Sequence, residues 1–201
     1  MKRIVVGISG ASGMLYAARF LRAVPADYEV HLIVSSVAQK ILQVELGWDV
    51  KKQPFAQFWE TFSEEPYLGA AIVVHPAENH FAPVASGSFI TKGMVIIPCS
   101  AKTLSGVASG YAANLMERTA DVHLKERRPL ILVLRETPYS LIHIENMKKA
   151  TLAGATILPA SPGFYHQPQS VNDLVDFVAA RVMDHLNIEH QLSKRWGEND
   201  G

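Results

Sequence analysis

Apolar residues fall in this chain into two rhythms: short unbroken runs, and stripes spaced three and four residues apart. Arg3 to Ile8, Met94 to Ile97 (closed by Pro98) and Leu130 to Leu134 are brief and rich in branched side chains. That is how strands buried on both faces of a parallel sheet read. Glu29 to Val34 is a further strand, and short ones are expected near Ala71 to Val74 and at Thr156 to Leu158. Between them lie helical segments. Met14 to Val24 places Met14, Ala17, Ala18 and Leu21 on one face. Ser36 to Leu46, Lys102 to Gly110, Ala113 to Glu126 and Ser140 to Leu152 are the next helices. A last helix opens at a capping box, Ser170 to Asp173, with a stripe of Val171, Leu174, Val175, Val178 and Val182. Alternating strands and helices predict one α/β domain over residues 1–201 with a doubly wound parallel sheet, ending in a polar tail from about residue 187. Only the stretch from Gly47 to Ala85 is irregular. It carries four prolines, one helix and the long loop AENHFAPVASGS, and a long loop inside a compact domain is usually functional.

Charge narrows the partners. Nineteen basic residues balance nineteen acidic ones, so nothing electrostatic favours nucleic acid or an anionic membrane. A small anion needs only local positive charge. The single cysteine, Cys99, excludes an intrachain disulfide and a multi-cysteine zinc site, and it suits a reducing compartment. The start MKRIVVGISGASG is too short in its apolar part for a signal peptide and runs straight into a glycine turn. No run approaches the roughly 20 apolar residues of a membrane span. The expected location is the cytoplasm.

Candidate chemistry sits where strands end. Gly7 to Gly13 forms a glycine turn between strand and helix, where backbone N–H groups and a helix N-terminus can hold a phosphate. The same turn can simply pack the helix on the strand, and it matches neither GxGxxG nor a P-loop. Pro98-Cys99-Ser100-Ala101-Lys102-Thr103 leaves a buried strand and opens a helix, the place where open α/β sheets bind ligands. Ser100 also suits an N-cap. Arg135 and Glu136 follow the next buried strand and point to the same crevice, or form a surface ion pair. Arg118, Asp121 and Lys125 share one helix face, either functional or merely solvated, and Glu126, Arg127 and Arg128 read as surface charge. Arg181 borders the stripe of the last helix, so it needs an anion, whether a phosphate or a carboxylate such as Asp184 or Asp173. The eight histidines show no metal-binding spacing, and no GxSxG elbow is present. No metal and no serine nucleophile are expected.

The blocks ISGASG, ASGS, IPCSAKTLSGVASG, RTADVHLKERRPLILVLRETP and GFYHQPQSVNDLVDFVAARV resemble the UbiX family of flavin prenyltransferases, from Lys2 to Trp196. The resemblance implies a Rossmann-like/flavodoxin-like three-layer subunit, assembled into a dodecamer with active sites where subunits meet. It also implies FMN, reduced, as both cofactor and acceptor, and dimethylallyl monophosphate as donor. By matching motif, Gly10, Ala11, Ser12, Ser35, Ser86, Ser100, Ala101, Lys102, Thr103 and Arg135 would contact FMN. Lys125, Tyr165 and Arg181 would grip the donor phosphate, joined by Arg118 from across an interface. Ser12, Glu45 and Glu136 would be catalytic, and Trp196 would close the site. Asn79-His80-Phe81 departs from the family where some relatives place a tryptophan, which bears on the aromatic wall and donor size.

The resemblance further implies transfer of the dimethylallyl group to N5 and C6 of reduced FMN, without a metal. The prenylated FMN would supply a UbiD-type decarboxylase, in ubiquinone biosynthesis or aromatic acid decarboxylation. Two rivals share the cofactor. A cysteine-peptide decarboxylase would need a catalytic histidine, and none here sits in a matching motif. A non-catalytic FMN carrier would have no use for Arg181, Tyr165 and Lys125 around a second anion.

Overall fold

A computed structural model of the chain describes residues 1–63 and 66–192. Six strands pair in parallel: β1 (Lys2–Ile8), β2 (Tyr28–Val34), β3 (Ala71–Pro76), β4 (Met94–Cys99), β5 (Leu130–Leu134) and β6 (Thr156–Pro159). Their order across the sheet is β3-β2-β1-β4-β5-β6. This is the Rossmann order, and the chain reverses direction between β1 and β4, so a crevice opens at the carboxyl ends of those two strands. Among the described residues seven α-helices flank them: α1 (Met14–Ala23), α2 (Ser36–Leu46), α3 (Phe55–Ser63), α4 (Ala101–Ser109), α5 (Leu115–Lys125), α6 (Leu141–Leu152) and α7 (Val171–His185). No helix among the described residues is long and apolar enough to cross a membrane.

The pleat sends alternate side chains to opposite layers. Ile4, Val6 and Ile8 of β1 face one layer, with Met14, Ala17 and Leu21 of α1, Trp48, Phe55, Phe58 and Trp59 around α3, and Val178 and Val182 of α7. Val5 faces the other, with Leu104 of α4, Leu115, Met116 and Ala120 of α5, and Ala150 of α6. Both layers are buried and apolar, which is why the strands read as continuous apolar runs.

Two expectations are corrected. Pro98 lies inside β4 rather than closing it. On α7, Val171 is 67% exposed, and the buried face is Val175, Asp176, Val178, Ala179, Ala180, Val182 and Met183. The cause is tertiary. Arg19 of α1 holds Asp176 through two hydrogen bonds, Nε at 2.7 Å and Nη2 more tightly. That pair draws a polar residue into the α1–α7 seam and turns the helix from the phase its apolar residues suggest.

Candidate active site

The crevice at the switch point is built from three turns. Ser9, fully buried after β1, receives the Ser100 backbone N–H at 2.8 Å and donates its hydroxyl to Pro98 O at 3.0 Å. One hydroxyl therefore fixes the β1–α1 turn against the β4–α4 turn. Arg135, whose own N–H bonds Cys99 O at 3.1 Å, sends Nε to Ser12 O at 3.1 Å and ties in the β5 end. Gly10 is required by close approach: a Cβ there would lie 2.8 Å from Val37 Cγ1 at the start of α2.

Two helix N-termini open into this crevice. Ser35 caps α2, accepting from Ala38 N–H at 3.1 Å, and Ser100 caps α4, accepting from Thr103 N–H at 3.2 Å. Ser100 Oγ also donates to Thr103 Oγ1 at 3.1 Å. The resulting cleft of about 530 Å³ is lined by Gly10, Ser35, Ser100 to Thr103, Glu117 and Glu136, among others. Two positive dipole ends, serine and threonine hydroxyls and the Lys102 ammonium suit a phosphate ester. Among the described residues Lys102 has no carboxylate partner, so its charge is available to a ligand.

The third N-terminus is already taken. Glu45 Oε2 accepts from Gly13 N–H at 3.0 Å and from Met14 N–H at 2.8 Å, so its carboxylate caps α1. The glycine turn Gly7 to Gly13 thus offers its loop to a ligand but not the helix end behind it, and the phosphate reading moves to α2 and α4. Gly13 itself sits at φ 99°, a left-handed conformation that glycine adopts without strain. Glu45 stands one residue from Ser12, beside the crevice.

The cations expected at the donor phosphate lie elsewhere in the protomer. Lys125 ends α5 and pairs with Glu126, and Arg118 pairs with Asp121 at 2.7 Å. Arg181 does not border the buried stripe as expected: its side chain is 52% exposed and pairs with Asp184 at 2.7 Å, one of the two carboxylates the sequence offered. Tyr165 is 60% exposed, with its ring 5.7 Å from that of Phe177. Ser86 bonds Ser88 Oγ at 2.9 Å in a turn packed on the end of α5, away from Ser100. Phe81 is fully exposed. Trp196 lies outside the described residues.

Two residues of the crevice carry little signal in the sequence. Ser9 had a faint signal, as the one polar side chain between a buried run and Gly10. Glu117, 4% exposed, lines the cleft while its Oε2 accepts from Ala113 N–H at 2.8 Å, and it had been passed over beside Arg118.

Replacing Ser9 by alanine will orphan the buried Ser100 N–H and release the α4 start. The expected destabilisation is about 1–3 kcal/mol, with a weaker grip on flavin. Denaturant midpoints and FMN titration check both, and unchanged FMN affinity would show that Ser9 does not set the α4 cap.

Known proteins match the chain over nearly its full length. The Flavoprotein family model matches residues 1–183. Flavin prenyltransferase UbiX of Pseudomonas aeruginosa is 50% identical over 201 residues, covering 98% of this chain and 95% of that protein. The dodecameric FMN-dependent UbiX-like decarboxylase from Escherichia coli O157:H7 superposes with a TM-score of 0.85 at 37% identity, covering 96% of this chain and 98% of the other. AnUbiX (PadA1), solved with FMN and dimethylallyl pyrophosphate, gives 0.84 at 37% identity over 98% and 97% of the two chains. With a cleft fitted to a phosphate ester at a Rossmann switch point and relatives matched end to end, the chain belongs to the UbiX family of flavoproteins.

Proposed function

We propose that this protein is a metal-independent flavin prenyltransferase that moves the dimethylallyl group of dimethylallyl monophosphate onto N5 and C6 of reduced FMN. The observation that carries this reading is the split of its polar groups. One protomer offers a cleft with two capped helix N-termini and Lys102, and a separate set of cations on other surfaces. The cofactor phosphate is assigned to Ser35, Ser100, Ala101, Lys102 and Thr103. Gly10, Ala11, Ser12 and Arg135 shape the turn beneath the ring system. Arg118, Lys125, Tyr165 and Arg181 take the donor phosphate, with Ser86 near the ring and Trp196 closing the site.

Reduced FMN, when bound, supplies the nucleophilic nitrogen and ring carbon. The chain's task is the leaving group. Breaking the allylic C–O bond builds negative charge on phosphate, and fixed cations stabilise it without solvent reorganisation. Glu136, in the cleft wall, delivers a proton to the departing phosphate; Glu45, beside Ser12, holds the proton removed at the ring. The exposed Tyr139, Leu141, Ile142 and Ile144 at the start of α6 fit burial between copies in a dodecamer. The assembly works in the cytoplasm and passes prenylated FMN to a UbiD-type decarboxylase.

The test is anaerobic incubation with reduced FMN and dimethylallyl monophosphate in excess chelator, followed by mass spectrometry of the extracted flavin. Gain of one five-carbon prenyl unit is expected. Recovery of FMN alone overturns the reading, and a requirement for added magnesium overturns its metal independence.

A further inference from the structure

We propose that Arg128 is a positioning residue for prenyl transfer, whose guanidinium locks the Ser86–Phe89 turn onto the end of α5 so that Ser86 and Lys125 are presented as one rigid surface. This rests on the reading of Ser86 and Lys125 as parts of the reaction site.

The sequence shows Arg128 only as the last member of a charge run. In the fold its Nη1 donates to Phe89 O at 2.8 Å and its Nη2 to Gly87 O at 2.5 Å. One planar group thus holds two carbonyls of a single turn, which a lysine ammonium cannot reproduce. The base of the side chain is equally fixed. Arg127 takes a left-handed φ of 54°, and the Arg128 N–H returns to His123 O at 2.8 Å on the last turn of α5.

The turn is gripped from two further sides. The Phe89 ring has the Arg3 guanidinium 4.8 Å from its centre and the His31 ring edge-on at 4.9 Å. Gly87 presses its bare backbone on the Lys125–Glu126 pair: a Cβ there would collide with Glu126 Oε1 and sit 2.9 Å from Lys125 Nζ. Two motifs distant in sequence, ASGS and LKERR, are therefore interlocked, with Arg128 as the bolt.

Arg128 lines a different face from the cofactor cleft, so its loss leaves Ser35, Ser100 and Lys102 in place. The loop from residue 77 to 93 has only a single turn of 3-10 helix, Pro83–Ala85, as regular structure. Within the turn itself Phe89 N–H bonds Ser86 O at 3.2 Å, but among the described residues only Arg128 ties the Gly87 and Phe89 carbonyls to the end of α5, so without it the turn would let Ser86 drift from Lys125. A displacement of about 1 Å in a positioning group costs on the order of a hundredfold in rate.

The experiment uses the full chain as its native oligomer. For Arg128→Lys, we expect turnover at saturating dimethylallyl monophosphate to fall by roughly tenfold to a hundredfold, while the FMN Kd stays within about twofold of wild type. Hydrogen exchange should quicken at amides 86–90 and not at 9–13 or 100–104. In a Ser86→Ala background, Arg128→Lys should cost little more, because both act through one turn.

Full turnover in Arg128→Lys overturns the proposal. So do unchanged exchange at 86–90, or losses that multiply in the double variant. If Arg128→Lys does not assemble, Gly87→Ala decides instead: it keeps Arg128 but displaces Lys125 and Glu126. It should show the same fall in turnover with FMN binding intact, and wild-type turnover would overturn the idea. An inactive wild-type protein would instead overturn the reaction assigned above, and exchange at 86–90 would still report on the clamp.

Discussion

Lys125→Met and Glu136→Gln proteins will each be nearly inactive, and oligomers assembled from an equal mixture of the two chains will recover activity. The reason is the length of β5. Lys125 ends α5 just ahead of that strand, and Glu136 stands just beyond its far end. Five residues of parallel strand span about 16 Å. Helix α5 says the same thing independently. It starts at the crevice, where Leu115 N–H bonds Ala77 O at 2.8 Å, and carries Lys125 about 15 Å away along its axis.

A single protomer therefore cannot bring this ammonium and this carboxyl to one phosphate. If both serve the reaction, two copies build each site. Removing a fixed charge from a developing anion typically lowers turnover by about a hundredfold to a thousandfold. In random mixed oligomers about a quarter of the sites combine an intact Lys125 from one copy with an intact Glu136 from another, since heterologous contacts draw different residues from each side. Co-expression with two affinity tags, followed by tandem purification, isolates the mixtures. Turnover near a quarter of wild type is the expected outcome. Mixtures as inactive as their parents would sink the shared site, and full activity of Lys125→Met alone would remove that residue from the mechanism.

The doubly wound sheet was legible because the local signals agreed with one another. Runs such as IVVGI, MVIIP and LILVL are unbroken because both faces are covered, and the helices lie within one or two residues of their expected bounds. The cleft set was legible in part, since Ser100, Lys102 and Glu136 follow buried strands and so fall at the carboxyl edge.

What sequence could not show was competition at a distance. Glu45 reaches Gly13 from the other end of a strand-helix unit, and no local rule gives a helix N-terminus to a carboxylate that far along the chain. The phase of α7 was misjudged for the same reason. Asp176 is buried by Arg19 of another helix, and that contact moves Arg181 from the border of the stripe to the surface. The Arg128 clamp left no signal at all, because its partners are backbone carbonyls, which have no residue type.

A pH effect on stability will come from His123 and will be visible as destabilisation that begins as pH falls below about 6.5. His123 is 1% exposed. Its Nδ1 lies 2.7 Å from Thr119 O, which can only accept, so that nitrogen carries the proton. Its Nε2, 2.8 Å from Thr91 Oγ1, then accepts from the hydroxyl. The neutral ring has partners at both nitrogens, and protonation would place a charge in a buried layer near Arg128. Burial, outweighing the hydrogen bond to Thr119, pushes the imidazole down to about 4.

The sign follows from linkage. The unfolded chain takes up a proton near pH 6.5 and the folded one does not until about pH 4, so folding loses ground as pH falls between those values. At pH 4.5 this one group removes about 2–3 kcal/mol, with the full stabilisation present above pH 7. His75 is shifted the same way, by burial first and by His31 second, and it adds to the slope. The check is a pair of urea titrations at pH 7 and pH 4.5 and fixed protein concentration, for wild type and for His123→Gln. The variant is weaker at pH 7 because Thr91 and Thr119 lose their partner, but its stability should change with pH by about 2–3 kcal/mol less than that of wild type. Equal pH dependence in the two proteins would mean that His123 is protonated in the fold, and that the Thr91 hydroxyl turns its lone pair rather than its proton to the ring.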